Sequence, residues 1–486
     1  MAYKSTLNYR FILKFTGVLL LIEGLFMLLT LPVAFFYQQG EHWALLFSAI
    51  FTSFTGSIFY MMGHSNQQIH ISKRDGYTAI TLVWVMVALM GCLPYLFSGV
   101  TYSFTDALFE SASGFTTTGA TIFDNVEALP PGILMWRSLS QWIGGMGIIV
   151  FSLSILSMFG LKRRDLLFND ITGPSFIKVH PTLAGTFKRI LMIYVFLSLS
   201  LIVILLFQGM PILDAICHSF STVSTGGFSS RNNNLADFGN GIHWTIFVFM
   251  FLAGINFTQI YFAIMGNLKK FLKNEESLWY VLIILIFGGA IIIIQNYHGE
   301  NFGDAVHFSL FHVVSSLSTT GYYLGNGHYW VPVVSYMFFM LIFIGGCSGS
   351  SAGGMKIFRP LLLTKNTILE YKRMLHPRAI VPVKYNRLVV SKSMVNASLA
   401  FFFFYMLIFA FGASLLSFSG LDFEAALGIS AASIGNVGPA VVAMCPQCSF
   451  AAFPIFAKWV IMFLMFVGRM EIFIIIVLFS KTFWRK

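Results

Sequence analysis

Long apolar runs separated by short polar connections dominate the chain, and their lengths predict helices that cross a membrane. Most runs contain the roughly 20 residues that an α-helix needs to span the hydrocarbon of a bilayer. The first two runs form a hairpin because only a few residues connect them. The predicted helices cover residues 11–36, 44–63, 77–99, 132–160, 187–208, 242–267, 278–297, 331–346, 355–375, 392–418 and 454–480.

Four short tracts of small and polar residues, each ending in glycine, interrupt the apolar pattern. Each tract follows a segment that opens with an acidic residue and alanine, at Asp106, Asp214, Asp304 and Glu424. Such a segment has room for a helix of about 10–12 residues, roughly 15–18 Å long, which is half the thickness of the hydrocarbon. Each segment is therefore predicted to dip halfway into the membrane and return as an extended tract. The tract residues are Thr117, Thr118 and Gly119; Ser224, Thr225 and Gly226; Thr319, Thr320 and Gly321; and Asn436, Val437 and Gly438.

This recurrence predicts an all-α polytopic membrane protein with four covalently linked helix–pore-loop–helix repeats around one pore. An N-terminal two-helix hairpin precedes the repeats. Non-helical backbone at membrane depth is costly unless it lines water or is buried in protein, so the tracts are expected to face a common axis. The predicted division is a hairpin over 1–70 and repeats over 71–165, 166–272, 273–378 (with an intramembrane gating loop) and 379–486.

Composition agrees with this pattern. Of the 486 residues, 57% are hydrophobic and 10% are charged, whereas soluble proteins carry about 25% charged residues. The net charge of +11 comes from basic connections that alternate with acidic ones, and does not indicate nucleic-acid binding. Basic connections stay in the cytoplasm, so both termini are predicted inside and the tracts open outward. The acidic connections would raise the local concentration of cations.

The chemistry of the tracts favours an alkali cation. Glycine permits unusual backbone angles, so successive carbonyls can point inward. Threonine and serine add hydroxyl oxygens that can also tie a tract to its own pore helix. These are hard oxygen ligands, and the sequence has no thiolate, imidazole or paired-carboxylate cluster of the kind that binds transition metals.

A glycine-rich stretch separates the runs 331–346 and 355–375, which are predicted to be one helix broken by a loop. It is either a mobile gate beneath the tracts or a packing break, and Lys356 and Arg359 either anchor it or face the cytoplasm. The candidate gating residues in this stretch are Gly345, Gly346, Ser348, Gly349, Gly353 and Gly354.

Arg469 is predicted near the middle of the last helix, where a charge costs roughly 2.5–3.5 kcal/mol. It is either a fixed positive charge below the tracts that pairs with backbone oxygens or the loop, or half of a structural ion pair with another helix. Glu471 is two positions further on and would not share its helix face.

Histidine and cysteine leave further alternatives open. His218, His307 and His312 on the pore segments either sense pH or pack behind the tracts. Three cysteines in or near apolar runs are predicted to be small buried residues: Cys92, Cys217 and Cys347. Cys445 and Cys448 form a local disulfide or remain free thiols.

Several motifs together make the chain resemble the bacterial Trk/Ktr potassium-uptake subunits, of the TrkH type, which are related to plant HKT transporters. The motifs are Thr117–Thr121, Ser224–Phe228, Thr319–Tyr322, Asn436–Pro439, Gln141–Gly147, the loop Gly345–Gly354 with Met355–Pro360, and Gly468–Glu471. The resemblance covers nearly the whole chain. It implies a homodimer in the bacterial inner membrane with one pore per subunit. It also implies a cytoplasmic regulatory ring of the TrkA/RCK type. A nucleotide would bind to that ring and not to this chain.

The resemblance further implies that a filter glycine in every repeat, here Gly119, Gly226, Gly321 and Gly438, goes with potassium preference. Asn436 and Val437 depart from the hydroxyl residues of the other tracts, so the filter is expected to be only approximately four-fold. The resulting hypothesis is gated potassium uptake by a protein that is not an enzyme.

Two alternatives stand beside that hypothesis. The first is a sodium-permeable transporter, or a sodium/potassium symporter, on the same scaffold. The second is an intramembrane serine protease with Ser348 in its Gly-x-Ser-Gly motif, which would need a histidine within hydrogen-bonding reach.

Overall fold

The computed structural model describes residues 7–64, 72–158, 183–267, 272–325, 331–379, 381–438 and 449–484. Within these ranges nearly all regular structure is helical. One small antiparallel hairpin pairs β1 (Lys384–Tyr385) with β2 (Leu388–Val389). The helices are α1 Tyr9–Leu28, α2 Leu31–Tyr37, α3 His42–Gly63, α4 Lys73–Gly91, α5 Leu93–Phe97, α6 Phe104–Phe115, α7 Pro131–Met158, α8 Leu183–Phe207, α9 Ile212–Val223, α10 Asn240–Ala253, α11 Phe257–Ile264, α12 Glu275–Tyr297, α13 Phe302–Leu317, α14 Pro332–Ile344, α15 Phe358–Leu375, α16 Lys392–Phe418, α17 Phe423–Gly435, α18 Ile455–Arg469, α19 Ile472–Phe479 and α20 Lys481–Trp484.

The described helices include six spans that are long and apolar enough to cross a membrane, and two bent helix pairs that raise the number to eight. The predicted polytopic all-α fold is thus confirmed. Prolines divide two of the predicted helices. Pro32 at the start of α2 and Pro94 at the start of α5 cannot continue the preceding hydrogen-bond ladder.

Close helix contact holds the N-terminal hairpin together. A Cβ atom at Gly17 of α1 would lie 2.5 Å from Tyr60 N and 2.6 Å from Gly56 O of α3. A Cβ atom at Gly63 would lie 2.4 Å from Lys14 N. Small residues let membrane helices approach closely, so these glycines set the distance between α1 and α3.

The order of long helix, short buried helix, tract and second helix occurs four times. The short helices α6, α9, α13 and α17 contain the predicted pore segments, and an acidic residue lies in the first turn of each. An acid at this position interacts favourably with the free N–H groups and the positive end of the helix dipole. Most residues of the four short helices are buried, so the other helices surround them.

Two helices predicted as single spans are broken in the structure. The run 242–267 divides into α10 and α11 at an angle of 108°, and the run 454–480 divides into α18 and α19 at 112°. Asn256 caps α11 by accepting the N–H of Thr258 at 2.8 Å. Glu471 stands at the second break with a φ of 67°. With the loop between α14 and α15, breaks thus interrupt the second helix of repeats two, three and four.

Candidate functional site

All four pore helices end in the same backbone turn, although their sequences differ. At the first, the N–H of Thr117 donates to Gly114 O and the N–H of Thr118 donates to Ser113 O, both at 2.9 Å. The same two bonds, to the third and fifth preceding residues, recur at the other three helix ends. The residue at the bend has a left-handed φ of 54° to 58° each time; these residues are Thr117, Thr225, Thr319 and Asn436.

A left-handed backbone is unfavourable for threonine. Positive φ is a genuine outlier for a β-branched residue and costs about 1–3 kcal/mol. Three threonines nevertheless adopt it at equivalent positions. The surrounding structure therefore imposes this turn, and such strain is typical of functional sites.

The turn corrects the sequence-based alignment of the second tract. Gly119 and Gly321 stand two residues after the bend, with φ of 84° and 80°. In the second tract that position is Gly227, with φ of 77°, whereas Gly226 is equivalent to Thr118. Alignment on the first glycine is wrong by one residue here because two glycines follow Thr225. Gly438 keeps its place.

The tracts approach one another around a common space. Asn436 Nδ2 donates to Thr118 Oγ1 at 2.9 Å, which joins tracts four and one. Tyr322 OH donates to Phe228 O at 3.2 Å, which joins tracts three and two. A cavity of about 320 Å³ is lined by Gly119, Gly227 and the residues that follow them, and by residues after tracts three and four, among them Tyr323 and Phe450.

Gln141 of α7 holds the second tract at two points. Its Nε2 donates to Gly226 O at 2.8 Å, and its Oε1 accepts the N–H of Phe228 at 3.1 Å. A Cβ atom at Gly226 would lie 2.3 Å from Gln141 Cδ, so only glycine fits against this amide. Sequence reasoning recorded Gln141 as part of a motif without giving it a role.

The glycine-rich loop lies against the pore-helix ends of three tracts. Ser351 Oγ donates to Val223 O, the last carbonyl of α9, at 3.0 Å. The N–H of Gly353 donates to Thr319 Oγ1 at 2.7 Å. A Cβ atom at Gly353 would lie 2.4 Å from Gly435 O. The loop thus contacts tract three and the ends of the pore helices that lead into tracts two and four.

Backbone bonds to the break between α10 and α11 also fix the loop. The N–H of Cys347 donates to Gly254 O at 2.9 Å, and Gly349 O accepts the N–H of Phe257 at 3.2 Å. The N–H of Ser348 donates to Glu276 Oε1 at 2.5 Å. Glu276 at the start of α12 is a residue that sequence reasoning missed.

Arg469 connects the loop to the first repeat. It is the last residue of α18, with 2% of its surface exposed, and not the middle of a continuous helix. Its Nη1 donates to Ser351 O at 2.9 Å and its Nη2 donates to Gly144 O at 3.2 Å. Among the described residues, the ion pairs are formed by other groups. The predicted pairing with backbone oxygens and the loop is therefore confirmed.

Lys356 anchors the loop, and Arg359 holds the residue that follows it. Lys356 Nζ donates to Ala352 O, and Arg359 Nη1 donates to Met355 O at 3.0 Å. Arg359 Nη2 also pairs with Glu471 at 2.8 Å. Glu471 is thus a partner of Arg359. It does not pair with Arg469, as expected from its position on another face of the helix.

Basic residues that sequence reasoning passed over neutralise acids of the pore helices. Arg137 pairs with Glu110 at 2.7 Å, and both side chains are nearly inaccessible to solvent. The other two pairs are Arg231 with Asp214 at 2.5 Å and Lys458 with Asp106 at 2.6 Å. The expected attraction of cations by acidic connections is therefore weakened at two of the four pore helices. The sequence signal for such pairs was a basic side chain inside an apolar run, as at Arg137 and Lys458.

The structure favours packing over pH sensing for the histidines on the pore helices. His218 and His312 are buried and hydrogen-bonded. His307 is also buried and stacks on His243, with ring centroids 5.2 Å apart. The predicted burial of Cys92, Cys217 and Cys347 is confirmed. Cys445 and Cys448 lie outside the described residues.

The fold and the site define a polytopic membrane protein in which four pore-loop repeats converge on one axis, with a buried loop against them. A family model described as TrkH, cation transport protein, matches residues 43–293 and 279–486. The chain belongs to this family of cation transport proteins.

Relatives of known name match over nearly the whole chain. One is 32% identical over 99% of this chain and 100% of its own length: the Trk system potassium uptake protein TrkH of Salmonella typhimurium. The Trk system potassium uptake protein TrkG of Escherichia coli K12 is 33% identical over the same shares. The crystal structure of the potassium transporter TrkH from Vibrio parahaemolyticus superimposes with a TM-score of 0.90 at 31% identity, covering 98% of this chain and 100% of that one. These relatives are transporters and not enzymes, so the serine protease alternative has no support.

Proposed function

We propose that this chain takes up potassium ions through a filter built from the four tracts. The observation that carries the proposal is the identical turn at four pore helices, which brings tract residues with at most 1% exposure to one axis. The register assigns to the filter Thr117 to Gly119, Thr225 to Gly227, Thr319 to Gly321 and Asn436 to Gly438. Carbonyl and hydroxyl oxygens at such a constriction replace the water of an alkali cation.

The loop and Arg469 form the proposed gate. They occupy the ends of the tracts opposite the cavity, where an ion leaving the filter must pass. Two loop residues, Ser351 and Gly353, contact repeats two, three and four. Arg469 reaches the backbone beneath the first tract at Gly144. Buried Arg469 and half-buried Lys356 add two positive charges that oppose a passing cation. Transport then requires the loop to move.

Membership of the family supports a proposal for location and partners. We propose a homodimer in the bacterial inner membrane, with both termini in the cytoplasm and a TrkA/RCK-type ring as regulatory partner. The relatives are named as parts of a Trk system. The last turn of α15 carries Lys372 and Arg373, and Lys372 is exposed there on the proposed cytoplasmic side.

Reversal potentials in planar bilayers test the function. With purified protein and opposing potassium and sodium gradients, we expect a potential close to that of potassium. A potential near the sodium value would support the alternative, a sodium-permeable transporter. A flux that follows both gradients in fixed proportion would support sodium/potassium symport.

The same measurement on Gly119→Ser tests the filter assignment. Gly119 has a φ of 84°, which a serine adopts only with strain, so the carbonyl cage of the first tract should distort. We expect a lower potassium-to-sodium permeability ratio. Gly289→Ala on α12, where a Cβ atom meets nothing within 4 Å, serves as the control. An unchanged ratio in Gly119→Ser would remove the first tract from the filter.

Shortening the loop tests the gate. Deleting residues 348–350 removes the bonds of Ser348 to Glu276 and of Gly349 to Phe257, so the loop should no longer reach all three repeats. We expect a higher flux without the regulatory partner. Potassium preference measured in the same vesicles must persist, since a non-selective leak would mean a damaged pore. Equal flux with and without the deletion would contradict gating by this loop.

A further inference from the structure

One position on the pore helices links each helix to the chain that leaves the filter. Counting back seven residues from the left-handed bend gives Glu110, His218, His312 and Ile429 in the four repeats. All four lie inside the buried part of their helix. Three of them carry a hydrogen-bonding side chain, and the fourth is a hydrocarbon.

In the first repeat, Glu110 accepts from the chain five residues beyond the bend. Its Oε2 takes the N–H of Ile122 at 3.0 Å, and Thr121 Oγ1 donates to the same carboxylate. Arg137 holds the other oxygen at 2.7 Å. The outgoing backbone of tract one is thus fixed to its own pore helix.

In the third repeat, His312 performs the same task with different chemistry. Its Nδ1 lies 2.8 Å from Phe308 O, a carbonyl that can only accept, so Nδ1 carries the proton. Nε2 is then an acceptor and takes the N–H of Leu324 at 3.2 Å. Leu324 is also the fifth residue beyond the bend.

In the second repeat, His218 is oriented in the same way, with Nδ1 2.8 Å from Asp214 O. Its Nε2 lies 3.1 Å from Ser229 Oγ, which also lies 3.1 Å from Asn234 O and accepts the N–H of Arg231, the sixth residue beyond the bend, at 3.0 Å. Here a serine side chain is inserted into the link. Ile429 of the fourth repeat has no polar atom with which to make one.

We propose that Glu110, His218 and His312 are positioning residues that set ion selectivity by fixing the outgoing side of three filter tracts, whereas the side chain of Ile429 can form no such hydrogen bond. The inference rests on the proposed potassium filter. A buried N–H without an acceptor is costly, so a tract that loses its link must relax. A relaxed carbonyl cage can contract around the smaller sodium ion.

The test compares His312→Leu with His312→Gln, in which the amide oxygen can still accept from Leu324. The readout is the potassium-to-sodium permeability ratio from reversal potentials. We expect the ratio to fall at least about fivefold in His312→Leu, given the cost of an unsatisfied N–H, and to be largely restored in His312→Gln. Ile429→Leu, at the equivalent position of the fourth pore helix, should keep the wild-type ratio because it loses no hydrogen bond.

A wild-type ratio in folded His312→Leu would overturn the inference. If that variant is not recovered folded, the smaller change Ser229→Ala decides, because it removes the hydroxyl that links His218 to the second tract. We expect a reduced ratio there, and an unchanged ratio would again overturn the inference. Failure of the filter proposal itself gives a different result, since the wild-type protein would then show no potassium preference.

Discussion

Gly438→Ala is expected to suppress potassium uptake at least about tenfold while the protein still reaches the membrane. A Cβ atom at Gly438 would lie 2.2 Å from Thr118 O, 2.5 Å from Ala120 N and 2.7 Å from the carbonyl carbon of Gly119. Forcing a methyl group into a packed site costs about 1–3 kcal/mol even where side chains can yield. All three neighbours are backbone atoms of tract one or of the residue directly after it, so the proposed filter must deform. An increase of 1.4 kcal/mol in the barrier already lowers a rate tenfold.

Uptake of potassium or rubidium by cells that lack other uptake systems measures this effect. Gly289→Ala is the matched control, because the same substitution on α12 meets no neighbour within 4 Å. The amount of protein in the membrane and its elution in detergent show whether the fold persists. Wild-type uptake by a folded Gly438→Ala protein would mean that tracts one and four do not meet as described.

Much of the fold could be predicted because hydrophobic length and local chemistry decide it. The apolar runs gave most helices, and the acid before each tract marked the first turn of each pore helix. The break of repeat three was visible because glycine and serine are concentrated between residues 345 and 354. The composition of the tracts indicated non-helical backbone at membrane depth.

The remaining features depend on tertiary contacts that no local pattern encodes. The bend at Met470 and Glu471 has no proline or glycine at the break, and Arg359 on a distant helix pairs with Glu471 there. Likewise, the register of the second tract is set by the left-handed turn at Thr225, whereas in the sequence either Gly226 or Gly227 could end the tract. Predicting ion pairs such as that of Glu110 with Arg137 requires knowing which helices are neighbours.

The fourth tract has the same backbone turn as the others but a different sequence. Asn436 and Val437 differ from the hydroxyl residues of the other tracts, yet Asn436 makes the same turn with a φ of 54°. Asparagine tolerates this conformation better than threonine. Its side chain then donates to Thr118 Oγ1 and Met465 O, so the residue that breaks the sequence symmetry also ties tract four to tract one. The backbone is four-fold where the side chains are not.

The same asymmetry extends to the proposed gate. Below the tracts, the loop contacts repeats two, three and four. Arg469 adds a contact to the first repeat, at Gly144 of α7. Its two bonds join Ser351 O, which belongs to the loop, and Gly144 O. A loop that leaves the pathway must break the first of these bonds. If the loop is the gate as proposed, Arg469 would stabilise the arrangement seen here and add a positive charge to the exit.

Arg469→Ala is accordingly expected to raise potassium flux in the absence of the regulatory partner by about tenfold or more. A hydrogen bond from a charged group contributes about 1.5–3 kcal/mol, and 1.4 kcal/mol shifts an equilibrium tenfold. Arg469→Lys keeps the charge but lacks the planar fork that reaches two carbonyls, so its flux should lie between those of the wild type and the alanine variant. Flux into vesicles without partner measures both. If arginine, lysine and alanine gave equal flux, Arg469 would be a structural residue and the gate would consist of the loop alone.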